Sequence, residues 1–218
     1  MEAPLFFDAH THSRTQHSGE CRILSIDAGR DLPIPDTDRY FSAGLHPWYL
    51  NEKTEMAWIK LLQLASESNC VGIGECGLDK LRGNKQLQEY WFRRQVWLAR
   101  ELKKPLVLHV VRAHDEAISI LRSENFQGAV YVHGFRGNES IAGLWLKMGA
   151  YLGISPAALK NPAPAFIKNI DKEKILCESD DSDLPLETIF ASTASWLNIS
   201  EEVWKIQAMK NAKLFYHV

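Results

Sequence analysis

Four histidines and two acidic residues of this chain lie at or near the ends of short apolar segments. Imidazole nitrogens and carboxylate oxygens are the usual protein ligands of zinc and similar divalent ions. A mixed set of this kind also suits a pair of ions, which can activate a water molecule for hydrolysis. The candidate ligands are His10, His12, Glu75, His109, His133 and Asp180.

The spacing of His10 and His12 predicts that both rings face one site, because side chains two apart on an extended strand point the same way. Asp180 is a candidate general base that accepts a proton from the attacking water. Its alternative role is to cap a helix from the acidic run 179–183. We expect two ions, with His10, His12 and Asp180 on one, His109 and His133 on the other, and Glu75 bridging them.

A single histidine in an apolar strand is more often a hydrogen-bonded core residue than a ligand. Six such polar groups would be costly to bury unless they shared partners or ions, so the set as a whole favours metal binding. Ligand type limits the ion to magnesium, manganese, zinc or a similar metal without selecting one.

Eight short runs rich in β-branched residues alternate with helix-like stretches, which indicates repeated strand–helix units. They cover residues 5–12, 22–28, 40–46, 71–75, 106–110, 129–133, 150–154 and 174–178. This pattern predicts an α/β fold, a distorted TIM (β/α)8 barrel formed by one domain of residues 1–218, with catalytic groups at the carboxyl ends of the strands.

The segments between these runs support the same fold. Helical periodicity appears at Trp58, Leu61, Leu62 and Ala65, at Leu87, Trp91, Leu98 and Leu102, and at Ala117, Ile120 and Leu121. The first two connections differ, since residues 13–20 are polar and residues 29–39 contain Pro33 and Pro35. We therefore expect both of these strand–helix connections to be shortened.

Composition is that of a globular protein of 218 residues, with 45% hydrophobic and 24% charged residues. A net charge of -2 gives no global attraction to nucleic acid, so local cations and metal ions would have to draw a phosphate-bearing substrate. The four cysteines form no Cys-x-x-Cys pair, and no apolar run approaches the ~20 residues of a membrane span. We expect a cytoplasmic protein with reduced thiols and no membrane association.

Several motifs resemble those of the TatD family of metal-dependent deoxyribonucleases, in order along nearly the whole chain. They lie at residues 7–12, 44–47, 72–79, 108–109, 132–135 and 178–180. The block Gly-Ile-Gly-Glu-Cys-Gly-Leu-Asp is the most specific of them. The resemblance implies a distorted TIM barrel, the same six metal ligands, and metal-dependent phosphodiester hydrolysis that typically removes nucleotides from the 3' end of DNA.

The resemblance also suggests substrate contacts. It places His46 in the pocket, although a strand-end histidine satisfied by backbone is the alternative. Arg112 is a candidate phosphate clamp, because guanidinium binds phosphate in a bidentate way. Independently of the resemblance, three residues just beyond the sixth and seventh predicted strands are candidate phosphate contacts, with a solvated surface role as the alternative for each: Arg136, Lys160 and Asn161. Trp48 and Tyr49 could stack on a base or simply pack.

The chain departs from the family after Asp180, where Asp181-Ser182-Asp183 adds negative charge that would repel a polyanion. Metal-dependent hydrolysis is therefore a firmer expectation than single-stranded DNA or its 3' ends as substrate. One alternative is an ester or amide hydrolase, acting for example on aminoacyl-tRNA or a cyclic amide. Another is a metal-binding subunit of a larger nucleic-acid-processing complex, with a protein partner.

Overall fold

The computed structural model describes residues 5–15, 17–30, 39–160 and 163–218. Eight strands form a single sheet in the order β1 to β8 along the chain. The strands are β1 (Phe6–Thr11), β2 (Glu20–Asp27), β3 (Phe41–Gly44), β4 (Cys70–Asp79), β5 (Leu106–Val111), β6 (Val130–Val132), β7 (Tyr151–Ile154) and β8 (Ile175–Cys177). Parallel strands in chain order, with helices between them, confirm the predicted α/β fold of the TIM-barrel class.

Six α-helices follow or separate the later strands. They are α1 (Thr54–Ser66), α2 (Lys85–Leu102), α3 (His114–Ser123), α4 (Glu139–Lys147), α5 (Leu186–Trp196) and α6 (Glu201–Tyr216). The described residues between β1 and β2 form no helix, as predicted for this connection. Pro33 and Pro35 of the second connection lie outside the described residues. In the part of the chain that the structure describes, no helix has both the length and the apolar composition needed to span a membrane.

The chain divides into two compact units. The terminal unit comprises Met1–Leu24 and Val132–Val218, and the central unit comprises Ser25–Tyr131. Strand β1 of the terminal unit is buried along its whole length. Its backbone is paired with the segment after β8, where Thr11 and Asp180 form a parallel bridge. Segments that are far apart in the sequence thereby pair inside one unit.

In the central unit, α2 buries two glutamines on one face, Gln88 and Gln95, at positions i and i+7. The side chain of Gln95 accepts a hydrogen bond from the Leu45 amide at 2.7 Å and donates to the Leu45 carbonyl at 3.2 Å. Gln88 accepts from the Asp79 amide at 2.8 Å and donates to the Arg82 carbonyl at 2.6 Å. Helix α2 thus fixes the segments that follow β3 and β4, both of which carry polar residues.

Strand β4 continues to Asp79, so Glu75 lies within the strand and not at its end, contrary to the prediction of a strand over residues 71–75. The register against β5 shifts between Ile73 and Cys76, as at a bulge. Gly77 has φ +137, and a Cβ atom there would clash with the His109 carbonyl oxygen. Glycine therefore permits the close approach of β4 to β5, where the sequence pattern suggested that the strand had ended.

Candidate metal centre

The terminal unit brings together His10, His12 and Asp180. One carboxylate oxygen of Asp180, Oδ1, lies 3.9 Å from His10 Nε2 and 3.7 Å from His12 Nε2. These distances are too long for hydrogen bonds, but two ligands that each bind one ion at ~2.1 Å lie ~3 to 4 Å apart. The geometry therefore fits the shared ion that the sequence predicts for these three residues.

Backbone hydrogen bonds hold this cluster in place. The Asp180 amide donates to the His10 carbonyl at 3.0 Å, and the His12 amide donates to the Asp180 carbonyl at 3.1 Å. Asp180 itself adopts the left-handed conformation, with φ +55. Helix α5 begins only at Leu186, with Pro185 before it, so Asp180 does not cap that helix.

His133, directly after β6, lies beside His10 in the same unit, with ring centroids 4.4 Å apart. Its Nδ1 is 3.8 Å from Oε1 of Glu178, a fully buried acid that was not among the predicted ligands. Glu178 also accepts a hydrogen bond from the Gly134 amide. His133, Glu178 and Asp180 offer ligand atoms close enough to hold an ion. The signal for Glu178 was its position two residues before Asp180, the spacing that relates His10 to His12.

Asp8 is a second acid that was not among the predicted ligands. It is fully buried, and its Oδ2 lies 3.2 Å from Nε of Arg22. Burial raises the pKa of Asp8 to about 7, against the opposing effects of hydrogen bonds from Ser179 and the charge of Arg22. Alternation along β1 would have placed Asp8 on the same face as His10. Because Asp8 is buried close to the candidate ligand His10 and is paired with Arg22, we interpret it as a residue that stabilises β1.

The central unit groups His46, Glu75 and His109. Oε1 of Glu75 lies 3.0 Å from His46 Nε2 and 2.8 Å from His109 Nδ1. Burial lowers the pKa of His46, which favours its neutral form. The Trp48 amide donates to His46 Nδ1 at 3.1 Å, so the proton of the neutral ring is on Nε2 and is donated to Glu75. His46 therefore has a backbone partner and also contacts a predicted ligand.

Asp79 orients His109 from the other side of its ring. His109 Nε2 lies 3.3 Å from Asp79 Oδ2, and an ionised carboxylate can only accept, so Nε2 carries the proton. Burial alone would raise the pKa of Asp79, but hydrogen bonds from Trp48, Leu81 and His109 outweigh it and lower the pKa. The Nδ1 lone pair of His109 then points at the Glu75 carboxylate. A proton or a cation between His109 Nδ1 and the Glu75 carboxylate would relieve the repulsion between these two acceptors. In carboxylate–histidine–metal arrangements, a carboxylate accepts a hydrogen bond from one ring nitrogen while the other nitrogen binds the metal.

The structure describes only some of the predicted substrate contacts. Arg112 follows β5 with φ +53 and an exposed side chain, and Arg136 is exposed after β6. Lys160 ends the 3-10 helix Pro156–Lys160, and its side chain lies outside the described structure. Asn161 also lies outside the described residues. Asp181 and Asp183 are exposed, so the acidic charge noted in the sequence faces solvent.

Each unit thus contains a set of metal-ligand atoms that fits a divalent cation. Among the described residues, three groups that each belong to a single unit have ligand atoms within 4.8 Å of one another inside the group, namely His10–His12–Asp180, His133–Glu178–Asp180 and His46–Glu75–His109. Nitrogen and carboxylate ligands in these numbers suit zinc, manganese or magnesium better than a soft ion. A sheet of the TIM-barrel class that carries such groups fits a metal-dependent hydrolase.

Comparison with known proteins identifies the family. The family model described as TatD related DNase matches residues 35–215, and the chain belongs to this family of metal-dependent hydrolases. An uncharacterized metal-dependent hydrolase of Buchnera aphidicola is 33% identical over 195 residues, covering 80% of this chain and 73% of that protein. A protein of Klebsiella pneumoniae named 3'-5' ssDNA/RNA exonuclease TatD is 32% identical over 202 residues, covering 79% and 74%.

Solved structures support the fold. A TatD homologue from Escherichia coli has a TM-score of 0.84 at 20% identity and covers 98% of both chains. A TatD family hydrolase from Entamoeba histolytica has a TM-score of 0.79 at 16% identity and covers 99% of both chains. The match of the family model to residues 35–215 confirms the sequence-based assignment to the TatD family.

Proposed function

We propose that this metal-dependent hydrolase cleaves phosphodiester bonds and removes nucleotides from the 3' end of single-stranded DNA. The observation that carries the proposal is the convergence of His10, His12 and Asp180 on one point of a TatD-type fold. The name of the Klebsiella pneumoniae relative supports a nucleic-acid substrate.

We further propose that the chain binds two divalent ions. The residues that would hold them are His10, His12, His133 and Asp180 in the terminal unit and Glu75 and His109 in the central unit. Bound divalent ions lower the pKa of water and stabilise the negative charge that develops on the phosphate oxygens.

The chain's own residues have separate tasks in this proposal. The Asp180 side chain is 31% exposed, so it can reach a water molecule and accept its proton as general base. His46 donates to Glu75 Oε1, and Asp79 fixes the ring of His109, so both keep predicted ligands in one orientation. The exposed guanidinium of Arg112 can bind a phosphate oxygen of the substrate.

The test is a time course on single-stranded DNA labelled separately at each end, with Mg²⁺ or Mn²⁺, for the parent and two variants. Asp180→Asn should abolish turnover while the fold is retained. Asp181→Asn removes the same charge from the neighbouring exposed residue and should cleave at the parental rate or slightly faster. We expect stepwise shortening from the 3' end that requires both the metal and Asp180.

Other results would overturn parts of the proposal. Intact DNA with every ion, together with chelator-sensitive cleavage of a carboxylic ester or amide, would identify an ester or amide hydrolase. Shortening from the 5' end would contradict the polarity. Parental activity in Asp180→Asn would remove Asp180 from the reaction.

A further inference from the structure

Trp48 is held rigidly beside the candidate ligands of the central unit. Its ring lies 4.9 Å from the His46 ring and 5.2 Å from the His109 ring, centroid to centroid. The indole Nε1 donates to Asp79 Oδ2 at 2.6 Å, the oxygen that also faces His109 Nε2. Nevertheless 38% of Trp48 is exposed to solvent. A large aromatic surface is therefore fixed next to the candidate metal centre without being buried by packing.

Arg82 lies over this indole, with its guanidinium carbon 3.9 Å from the ring centre. Its backbone is fixed as well, because Gln88 donates to the Arg82 carbonyl. A Cβ atom at Gly83 would lie 3.3 Å from the Pro47 carbonyl, so the Arg82 loop packs closely against the turn that carries Trp48. Arg82 is exposed, and no carboxylate among the described residues forms an ion pair with it.

We propose that Trp48 and Arg82 form the binding subsite for the nucleotide next to the scissile phosphate. The exposed part of the indole stacks on the base, and the guanidinium of Arg82 binds a backbone phosphate. This inference rests on the proposed nuclease function and adds two residues that recognise its substrate.

The chemistry of the pair favours a nucleotide over a small ester or amide. Every base has a π-face, so an exposed indole contributes affinity without requiring one sequence. The guanidinium of Arg82, which forms no ion pair with a carboxylate in the described part of the chain, is available to a phosphate oxygen. Tyr49 extends the aromatic surface, because its ring lies 5.3 Å from the His46 ring and Arg30 lies 4.9 Å over it. A ligand that contains both a base and a phosphate therefore matches this surface, which combines aromatic rings with guanidinium groups.

The test compares two single-stranded substrates that differ only in their bases. One is a short thymidine oligonucleotide, and the other has abasic deoxyribose in place of its last two 3' nucleotides. Measuring kcat/KM on both gives a ratio that reports the base contact alone. Trp48→Leu should lower kcat/KM on the full oligonucleotide, relative to the abasic one, about tenfold.

Trp48→Phe separates stacking from support of the metal centre. Phenylalanine keeps an aromatic face but cannot donate to Asp79, so the ratio should stay near that of the parent even if both rates fall. Equal losses on both substrates in Trp48→Leu would assign Trp48 only to holding Asp79 and would overturn the inference.

Arg82→Gln tests the phosphate contact. It should raise KM on both substrates and reduce the slope of log KM against log salt concentration by about 0.7, the value for one contact to a single strand. Arg122→Gln removes an exposed arginine from the last turn of α3 and serves as the matched control, with the parental slope.

The two proposals fail in different ways. If the parent shortens DNA but neither the base ratio nor the salt slope responds to these variants, the subsite is wrong and the nuclease proposal stands. If the parent cleaves neither oligonucleotide under any metal, both proposals are overturned together.

Discussion

Ser179 donates two hydrogen bonds to the carboxylate of Asp8, from its amide to Oδ1 at 2.9 Å and from its hydroxyl to Oδ2 at 2.6 Å. The pair joins β1 to the segment after β8 through side chains, next to the backbone bridge between Thr11 and Asp180. An acid that is fully buried needs such partners, because an uncompensated charge in the interior is costly. Asp8 and Ser179 therefore couple the stability of this unit to pH.

Asp8→Asn should change the pH dependence of unfolding. The pKa of Asp8 is raised by burial to about 7 in the folded chain, from 3.8. The proton that it binds on folding stabilises the folded state fully below about pH 4, and this stabilisation is lost as the pH rises to about 7. The difference in free energy of unfolding between parent and variant should change by at most about 1.4 kcal/mol per pH unit in that window.

Urea unfolding in the presence of a chelator, at several pH values, measures this difference. Asp183→Asn changes an exposed acid of the same unit and should follow the parental pH dependence. A constant difference between parent and Asp8→Asn across the window would show that Asp8 does not titrate there.

Asp79→Asn should weaken metal binding by about ten- to hundredfold, because the amide no longer orients the His109 ring as the carboxylate does. Calorimetric titration with Zn²⁺ or Mn²⁺ measures the affinity. Asp115→Asn, in the exposed first turn of α3, removes the same charge from the same unit as a control. Parental affinity in Asp79→Asn would contradict the role of this carboxylate.

Gly77→Ala should destabilise the protein by about 3 kcal/mol or more, because the new methyl group would clash with the His109 carbonyl at a positive φ. Gly143→Ala is the matched control, since a Cβ atom there meets nothing within 4 Å in helix α4. The control should raise the free energy of unfolding by about 0.5 to 1 kcal/mol. Denaturant unfolding compares them, and similar stabilities for both variants would refute the close approach of β4 and β5.

Tyr216→Phe should lower the free energy of unfolding by about 1 to 3 kcal/mol. The Tyr216 hydroxyl, at the end of α6, donates to the Ala9 carbonyl at 2.7 Å, and phenylalanine would remove this buried hydrogen bond. Tyr151→Phe, at a largely buried tyrosine of the same unit, should cost less than about 0.5 kcal/mol. Thermal or urea unfolding would decide, and equal effects of the two substitutions would contradict the prediction.

The local sequence pattern was sufficient to predict much of the fold. Alternation indicated that His10 and His12 face one site, which their grouping with Asp180 fits, although β1 ends at Thr11 and His12 follows it. The apolar runs located all eight strands to within a few residues, apart from the end of β4. That end was missed because Gly74 and Gly77 resemble turn residues until their contacts with β5 are known. Periodicity alone cannot show that a glycine inside a strand marks close packing.

Long-range partners explain the other omissions. Gln88 and Gln95 occupy the buried face of α2 because their amides bind two distant loops, whereas the sequence pattern selected Leu102, which is exposed. Asp79 orients a histidine on the neighbouring strand, and this pairing depends on the register of β4 against β5. Whether a polar side chain is a ligand, a support or a surface group is decided by partners far away in sequence.

The bridge between Thr11 and Asp180 joins residues that are 169 positions apart. During synthesis, a ribosome must therefore translate beyond Asp180 before His10 and His12 can meet their carboxylate. Chains elongate at about 5 to 20 residues per second, so the nascent protein spends many seconds with these histidines unassembled. The His10–His12–Asp180 cluster thus cannot capture a metal ion before Asp180 has been made, which delays hydrolytic chemistry until most of the polypeptide has been synthesised.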